Sequence, residues 1–266
     1  VTGDRTTLLR NSQYFKRESL GLTLQNDYVA RFRTGPLEHT TLAGFEWRHG
    51  DWSRLGTALG YDSINPFGTL PATIPARGPV NQSFDEVSAD RKFYALQEVG
   101  LMERRVLLSG GVTRNFNRFR ALNTLAVTNA LTYRRAQATT WQGGIVGKIS
   151  SDVSLFGGYN ESFQPNNSLD TAGRQLPNLE GKQTEIGVKA KLWQDRVRVT
   201  AAWFDIKAST SRAAPPGRPI GAVDFATQTS RGVDADVAVS LNRSWDVIAS
   251  AARFDLKDST TVTFPN

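Results

Sequence analysis

Cysteine is absent from the 266 residues, so no disulfide framework and no thiolate metal site can form. Histidine is almost as scarce, with His39 and His49 as the whole complement. Ten residues apart on an extended segment, they stand roughly 30 Å from each other and cannot share a metal. No apolar run approaches the ~20 residues of a membrane helix. Mean hydropathy is −0.37 and hydrophobic residues make up 39%. A strand-built membrane protein tolerates such values, because half of each strand faces a polar interior. No secretory signal opens the chain, since Val1-Thr2-Gly3-Asp4-Arg5 is polar and lacks an apolar core.

Catalytic constellations are missing too. The many serines lack a nucleophile elbow and a partnered base. Gly143-Gly144 and Gly157-Gly158 lie inside strand patterns, not before helices, so they are not phosphate loops. Asp234 and Asp236 share one strand face and are expected to line an interior rather than hold a cation. No enzyme, cofactor or metal site is expected. The basic residues form no helical cluster and no zinc, RNP or helix-turn-helix pattern, which argues against nucleic acid. The net charge of +7 has two readings. Cations could line an interior and meet anionic lipid headgroups, or they could attract an anionic ligand.

What the chain has is alternation. In Gln183–Leu192, Thr184, Ile186, Val188, Ala190 and Leu192 fall on one side, and Gln183, Glu185, Gly187, Lys189 and Lys191 on the other. After the turn Gln194-Asp195-Arg196, Val197, Val199, Ala201 and Trp203 alternate with Arg198, Thr200 and Ala202. This is an antiparallel hairpin of about ten residues per strand, the length that crosses a bilayer at a tilt. Similar strands are expected at Leu20–Phe32, His39–His49, Phe93–Gly100, Val106–Arg114, Thr140–Ile149, Val153–Phe163, Thr227–Val239 and Trp245–Lys257. The segment Val1–Ser19 shows no firm period.

Short turns such as Thr34-Gly35-Pro36, Met102–Arg105 and Ser150–Asp152 alternate with long segments: Gly50–Arg91, Asn115–Ala138, Gln164–Gly181 and Ser209–Phe225. A soluble sandwich has no reason to make every second connection long. The pattern predicts an all-β, transmembrane, antiparallel up-and-down barrel with about ten strands visible. Ile186, Val188 and Ala190 should face lipid. Phe45, Trp47, Tyr159, Phe163, Trp203 and Phe204 are expected in the interfacial aromatic girdle.

Several stretches resemble TonB-dependent outer-membrane receptors of the siderophore-receptor type. Tyr159-Asn160-Glu161-Ser162-Phe163-Gln164-Pro165 resembles their Y-x-E/S-S-F-x-P stretch. Gly181-Lys182-Gln183-Thr184-Glu185-Ile186-Gly187-Val188-Lys189 resembles their G-K-Q-x-E-x-G-x-K hairpin start. Ala202-Trp203-Phe204-Asp205-Ile206 is similar to their A-x-F-x-I strand end, and Ser230–Asp236 to their S-R-G-V-E-x-E strand. Leu24–Asp27 and Leu42–Glu46 fit paired strands around a T-G turn, and Asn65-Pro66 a loop rich in Asn-Pro. The ordered match runs over roughly residues 20–257.

The resemblance implies a bacterial outer-membrane receptor that imports a ferric siderophore with energy from the TonB complex. It implies a barrel of about 22 strands, of which residues 1–266 are expected to supply part. The plug domain and the TonB-contacting segment have no counterpart in this sequence, and the end, Thr263-Phe264-Pro265-Asn266, lacks the usual terminal aromatic strand. The chain is therefore expected to be a barrel fragment. Alternative ligands are a cobalamin, haem or a glycan. A small complete barrel with hydrolase activity is a further alternative.

Ligand contacts are expected in the long segments, from Trp52, Tyr61, Phe67, Arg118, Arg120, Tyr133, Arg134, Arg135, Arg174, Arg212 and Arg218. Arginine supplies directed, charge-assisted hydrogen bonds to carboxylate, hydroxamate or catecholate oxygens, and aromatics supply stacking surface. The expected partners are the ferric siderophore, the TonB complex through a plug region, outer-membrane lipid and lipopolysaccharide.

Overall fold

The computed structural model describes residues 8–58, 60–65, 67–68, 76–125, 131–167, 175–213 and 223–259. Twelve strands occur among them and no helix. They are β1 Leu8–Ser12, β2 Phe15–Thr34, β3 Leu37–Thr57, β4 Gly60–Ile64, β5 Val80–Leu101 and β6 Val106–Asn123. The others are β7 Leu131–Lys148, β8 Val153–Gln164, β9 Leu179–Leu192, β10 Val197–Ala213, β11 Val223–Asn242 and β12 Trp245–Ser259. Ten form one sheet in the order β12-β11-β10-β9-β8-β7-β6-β5-β3-β2, while β1 and β4 pair separately. Apart from β1 and β4, chain neighbours are sheet neighbours, the up-and-down order expected of a barrel wall.

The ten expected strands are all present, but most are longer than the sequence pattern indicated. β3 continues through Trp52 and Arg54, β5 begins at Val80, β6 reaches Asn123 and β7 begins at Leu131. The expected long segments Gly50–Arg91 and Asn115–Ala138 are therefore largely strand. β1 and the start of β2 occupy part of Val1–Ser19. About ten residues suffice to cross a bilayer at a tilt, so the far halves of these strands extend beyond it.

Register fixes the faces. Ile186 pairs with Trp203 and Gly157, Trp203 with Val233, and Val188 with Ala201 and Leu155. Glu185 and Gly187 fall in the opposite set, with Phe204 and Ala202 as partners. One face is thus apolar and the other polar, as the alternation predicted. Phe204 is a correction: it pairs with Glu185 and Gly232 on the polar face, opposite to Trp203. Successive residues of a strand cannot both join one girdle.

Among the other girdle residues, the Phe45 and Phe93 rings stand 5.0 Å apart, and Phe93 meets Phe116 edge-on at 6.4 Å. His39 stacks on Phe32 at 4.7 Å and His49 on Trp47 at 6.0 Å. Both histidines thus lie beside aromatic rings.

Two short turns share an unusual backbone. Met102, Glu103 and Arg104 have φ of 51, 54 and 62°, and Trp193, Gln194 and Asp195 have φ of 53, 57 and 65°. Three successive left-handed residues without glycine carry strain. At the second turn Asp195 holds Arg198 through two hydrogen bonds of 2.9 and 3.1 Å. These bonds keep the Asp195 carboxyl below its ordinary range.

The residues group into two compact units. One contains Val1–Leu24, Trp47–Asp90 and Asn117–Arg135, the other Gln25–Glu46, Arg91–Phe116 and Ala136–Asn266.

Candidate ligand-contacting surface

In the first unit, the polar-face residues of β3, β5 and β7 converge. Alternation along β3 places Trp52 and Arg54 on the face of Arg48. Along β5 it places Gln82, Phe84 and Glu86 on the face of Asp90. Along β7, Tyr133, Arg135 and Gln137 are exposed while Arg134 and Ala136 are buried. Arg48 and Asp90 meet at 3.9 Å, and Asn117 donates to Asp90 at 2.5 Å, which ties β3, β5 and β6 together.

Further from the short turns, Arg54 donates to Gln82 at 2.8 Å. Its guanidinium lies 5.4 Å from the Phe84 ring centre and 5.7 Å from that of Phe15. Such stacking keeps a charged plane flat against aromatic surface. The Trp52 side chain lies next to Glu86. Burial pushes the Glu86 carboxyl above its ordinary range, with Arg54, Trp52 and Arg134 pulling it back.

Arg134 is 8% exposed, and its Nε and Nη1 have no hydrogen-bond partner; the buried Nε of Arg54 has none either. Burial lowers the pKa of Arg134, against the attraction of Glu86. Buried Arg134 and half-buried Arg54 thus share one carboxyl group that is itself reluctant to ionise. Unbonded buried N–H groups are costly. An incoming anionic oxygen would satisfy them and strengthen as water is excluded.

The other expected contact residues distribute differently. Trp52 belongs to this cluster. Arg118 and Arg120 lie on β6 and are exposed, flanking buried Asn117 from the opposite parity. Tyr133 and Arg135 lie on β7, on the face opposite to Arg134. Their expected place in loops is corrected to strands, and the sheet does not bring these four onto the face of Arg134. Phe67 is 83% exposed in a turn where its N–H donates to Asn65 at 2.9 Å. Tyr61 falls in β4, opposite Asn11, and Arg212 in β10, opposite Asp224. Arg174 and Arg218 lie outside the described residues.

Sequence reasoning missed Arg54 and Glu86, because the segment that holds them read as a loop. The signal was there in Trp52-x-Arg54 and Phe84-x-Glu86, two pairs at period two. Among the described residues no group of three or more His, Cys, Asp or Glu could hold a metal ion.

The profile of the family "TonB dependent receptor-like, beta-barrel" matches residues 1–266. The ferrichrome outer membrane transporter/phage receptor of Escherichia coli (strain K12) is 25% identical over 248 residues, covering 88% of this chain and 32% of that protein. The metal-pseudopaline receptor CntO of Pseudomonas aeruginosa (strain UCBPP-PA14) is 26% identical over 269 residues, covering 96% of this chain and 37% of that protein. The chain therefore spans about a third of the length of these curated relatives. Among solved structures, the pyoverdine outer membrane receptor FpvA from Pseudomonas aeruginosa PAO1 bound to pyoverdine superposes with a TM-score of 0.78 at 19% identity, over 94% of this chain and 37% of that one. The ferric-catecholate import receptor Fiu from K12 E. coli, in its closed form, gives 0.75 at 16% identity, over 92% and 38%. These likenesses carry the fold, and the profile match carries the family: the chain belongs to the TonB-dependent receptors of the bacterial outer membrane, within their β-barrel.

Proposed function

We propose that this chain is barrel wall of a receptor that captures a ferric siderophore outside the cell and imports it across the outer membrane under TonB control. The observation that carries the reading is Arg134, a buried guanidinium with two unbonded N–H groups on the polar face. Ferric siderophores present anionic oxygens, and a guanidinium binds such oxygens directionally. Phe84 against Arg54, and Trp52 next to Glu86, add flat surface to the cluster. Relatives named for ferrichrome and for metal-pseudopaline support the ligand class. The family consists of receptors and transporters, so the hydrolase reading is dropped.

In this mechanism the chain does no covalent chemistry. Polar-face groups hold the chelate while the far strand halves screen it from bulk water. The plug and the segment that contacts TonB belong outside residues 1–266, and force on the plug would open the interior. The test is uptake of radioactive iron by iron-starved cells carrying the full receptor gene or lacking it. Uptake of at least one ferric chelate that needs both the receptor and TonB is the expected result. Receptor-independent uptake of every chelate tried, with TonB-dependent uptake of cobalamin, haem or a glycan instead, would replace the siderophore with that ligand.

A further inference from the structure

Arg134 is accompanied on the polar face by a second buried group with an unused valence. Asn117 of β6 is 8% exposed, its Nδ2 donates to Asp90 at 2.5 Å, and its buried Oδ1 has no hydrogen-bond partner. Chemistry decides which end of this amide faces Asp90. A carboxylate only accepts, so Nδ2 turns toward it and Oδ1 turns away. Asp90 is in turn held against β3 by Arg48 at 3.9 Å. Asn117 therefore presents an acceptor whose direction its neighbour fixes.

Asn117 and Arg134 belong to one surface. A Cβ at Gly111 of β6 would stand 3.1 Å from the Gln142 side chain of β7, so these two positions share a face. Asn117 lies six residues along β6 from Gly111, and Arg134 eight along β7 from Gln142; even steps keep the face. The Lys148 N–H donates to the Arg105 carbonyl at 2.8 Å, and Arg114 donates to Thr139 at 2.8 Å, which fits one register along the pair. Carried on, that register sets Phe119 opposite Arg134 and Asn117 on the diagonal, where Cα atoms stand about 7–8 Å apart. One small group reaches both side chains.

Their chemistries are complementary. Arg134 offers N–H groups at Nε and Nη1 and cannot accept, while Asn117 Oδ1 accepts and cannot donate. A bare anionic oxygen would satisfy the guanidinium and leave the amide oxygen buried without a donor, which is costly. A secondary amide satisfies both, with its carbonyl toward one N–H of Arg134 and its own N–H toward Asn117. The other N–H of Arg134 stays available for an anionic oxygen of the chelate. Resting on the siderophore reading above, we infer that Asn117 is a specificity-determining residue that selects chelates with a secondary amide at their rim, and that Asp90 is the positioning residue that aims it. Arg134 holds a chelate by its charge; Asn117 sorts chelates of equal charge.

The test measures binding to the full receptor of paired ferric complexes that differ only in N–H. Each pair is a chelator with secondary amides in its chain and the same chelator with those amides N-methylated. The pairs are made with hydroxamate, catecholate and hydroxycarboxylate iron ligands. Wild type should bind the N–H member of at least one pair roughly 3- to 10-fold more tightly, the worth of one neutral hydrogen bond. Asn117→Leu should bring that ratio to about one. Asp90→Asn, which lets the Asn117 amide turn over, should lower it. Arg134→Gln should weaken both members and keep their ratio. Folding is verified by heat-resistant gel mobility, and Asn117→Ala replaces Asn117→Leu if that one misfolds. A wild-type ratio near one in every pair, or a ratio that survives at Asn117, overturns the selection; if Arg134→Gln still weakens binding, the receptor reading stands without it. An unchanged ratio in Asp90→Asn overturns the positioning role. Binding of none of the complexes overturns this inference and the siderophore reading together.

Discussion

The Tyr94 ring lies across the face of Gly44. A Cβ at position 44 would stand 2.3 Å from the ring. The Tyr94 hydroxyl reaches on to donate to Asp27, so the ring bridges β5 over β3 to β2. Phe156 covers Gly187 in the same manner, at 2.5 Å from the position a Cβ would take. In each case an aromatic ring occupies the space a side chain would fill. Gly44→Ala should therefore destabilise the folded barrel by about 1–3 kcal/mol through overpacking. Gly110→Ala, where nothing lies within 4 Å, should be neutral or stabilising by up to about 1 kcal/mol. Urea unfolding of the full receptor in micelles compares them, and an equal effect at both sites would contradict the ring-over-glycine account.

Arg134 and Arg135 are neighbours with opposite duties. Arg134→Gln should weaken binding of an anionic ferric chelate about 10- to 100-fold, as loss of charge-assisted hydrogen bonds worth about 1.5–3 kcal/mol implies. Arg135→Gln should change affinity less than twofold, because Arg135 is exposed on the other face. Tryptophan fluorescence titration of the full receptor separates the two; similar losses would dissolve the parity argument.

Glu86 makes the same surface pH-sensitive. Its carboxyl is held above the ordinary range, first by burial. The folded state therefore keeps its proton at a pH where the unfolded chain has released it. The stabilising contribution is complete below the unfolded pKa and is lost as pH rises through the folded pKa. Protonation also removes the negative charge beside Arg54 and Arg134, so affinity for an anionic chelate should rise as pH falls through that range. Glu86→Gln should flatten both trends. A wild-type affinity that instead falls on mild acidification would count against the charge assignment at this cluster.

The membrane-crossing parity is open to direct labelling. Val188→Cys should resist a water-soluble maleimide and Lys189→Cys should react, since Val188 pairs with outward Ala201 while Lys189 pairs with Thr200. Reaction at 188 but not at 189 would reverse the faces.

The turn at Trp193–Asp195 holds three non-glycine residues at positive φ. Gln194→Gly should stabilise the hairpin by roughly 1 kcal/mol, since glycine adopts that conformation without penalty. The unfolding midpoint reports it, and a clear loss of stability would show that the Gln194 side chain contributes more than its backbone costs.

Legibility in the sequence followed the solvent. Within the bilayer, one face must be apolar, so Ile186, Val188, Val199, Ala201 and Trp203 spelled out both strand and orientation. Beyond it, both faces of β3 and β5 meet polar surroundings, and the alternation fades although the backbone ladder continues. Hence Phe93 read as a strand start while β5 begins at Val80. Arg134 was legible as a ligand candidate by its chemistry. Its burial, and its company with Arg54 and Glu86, were not, because those depend on which strands the register brings side by side. Phe204 failed for a simpler reason: a girdle chosen by residue type ignored the period of two.

The length of the ladders bears on mechanics. All 17 residues of β10 have register partners on β11. A load applied along such strands acts in shear, so every rung shares it at once and none yields before its neighbours. Peeling would break the same bonds one at a time at far lower force. A wall built this way behaves as a stiff anvil: a pull along its strands would leave the β10–β11 seam in shape.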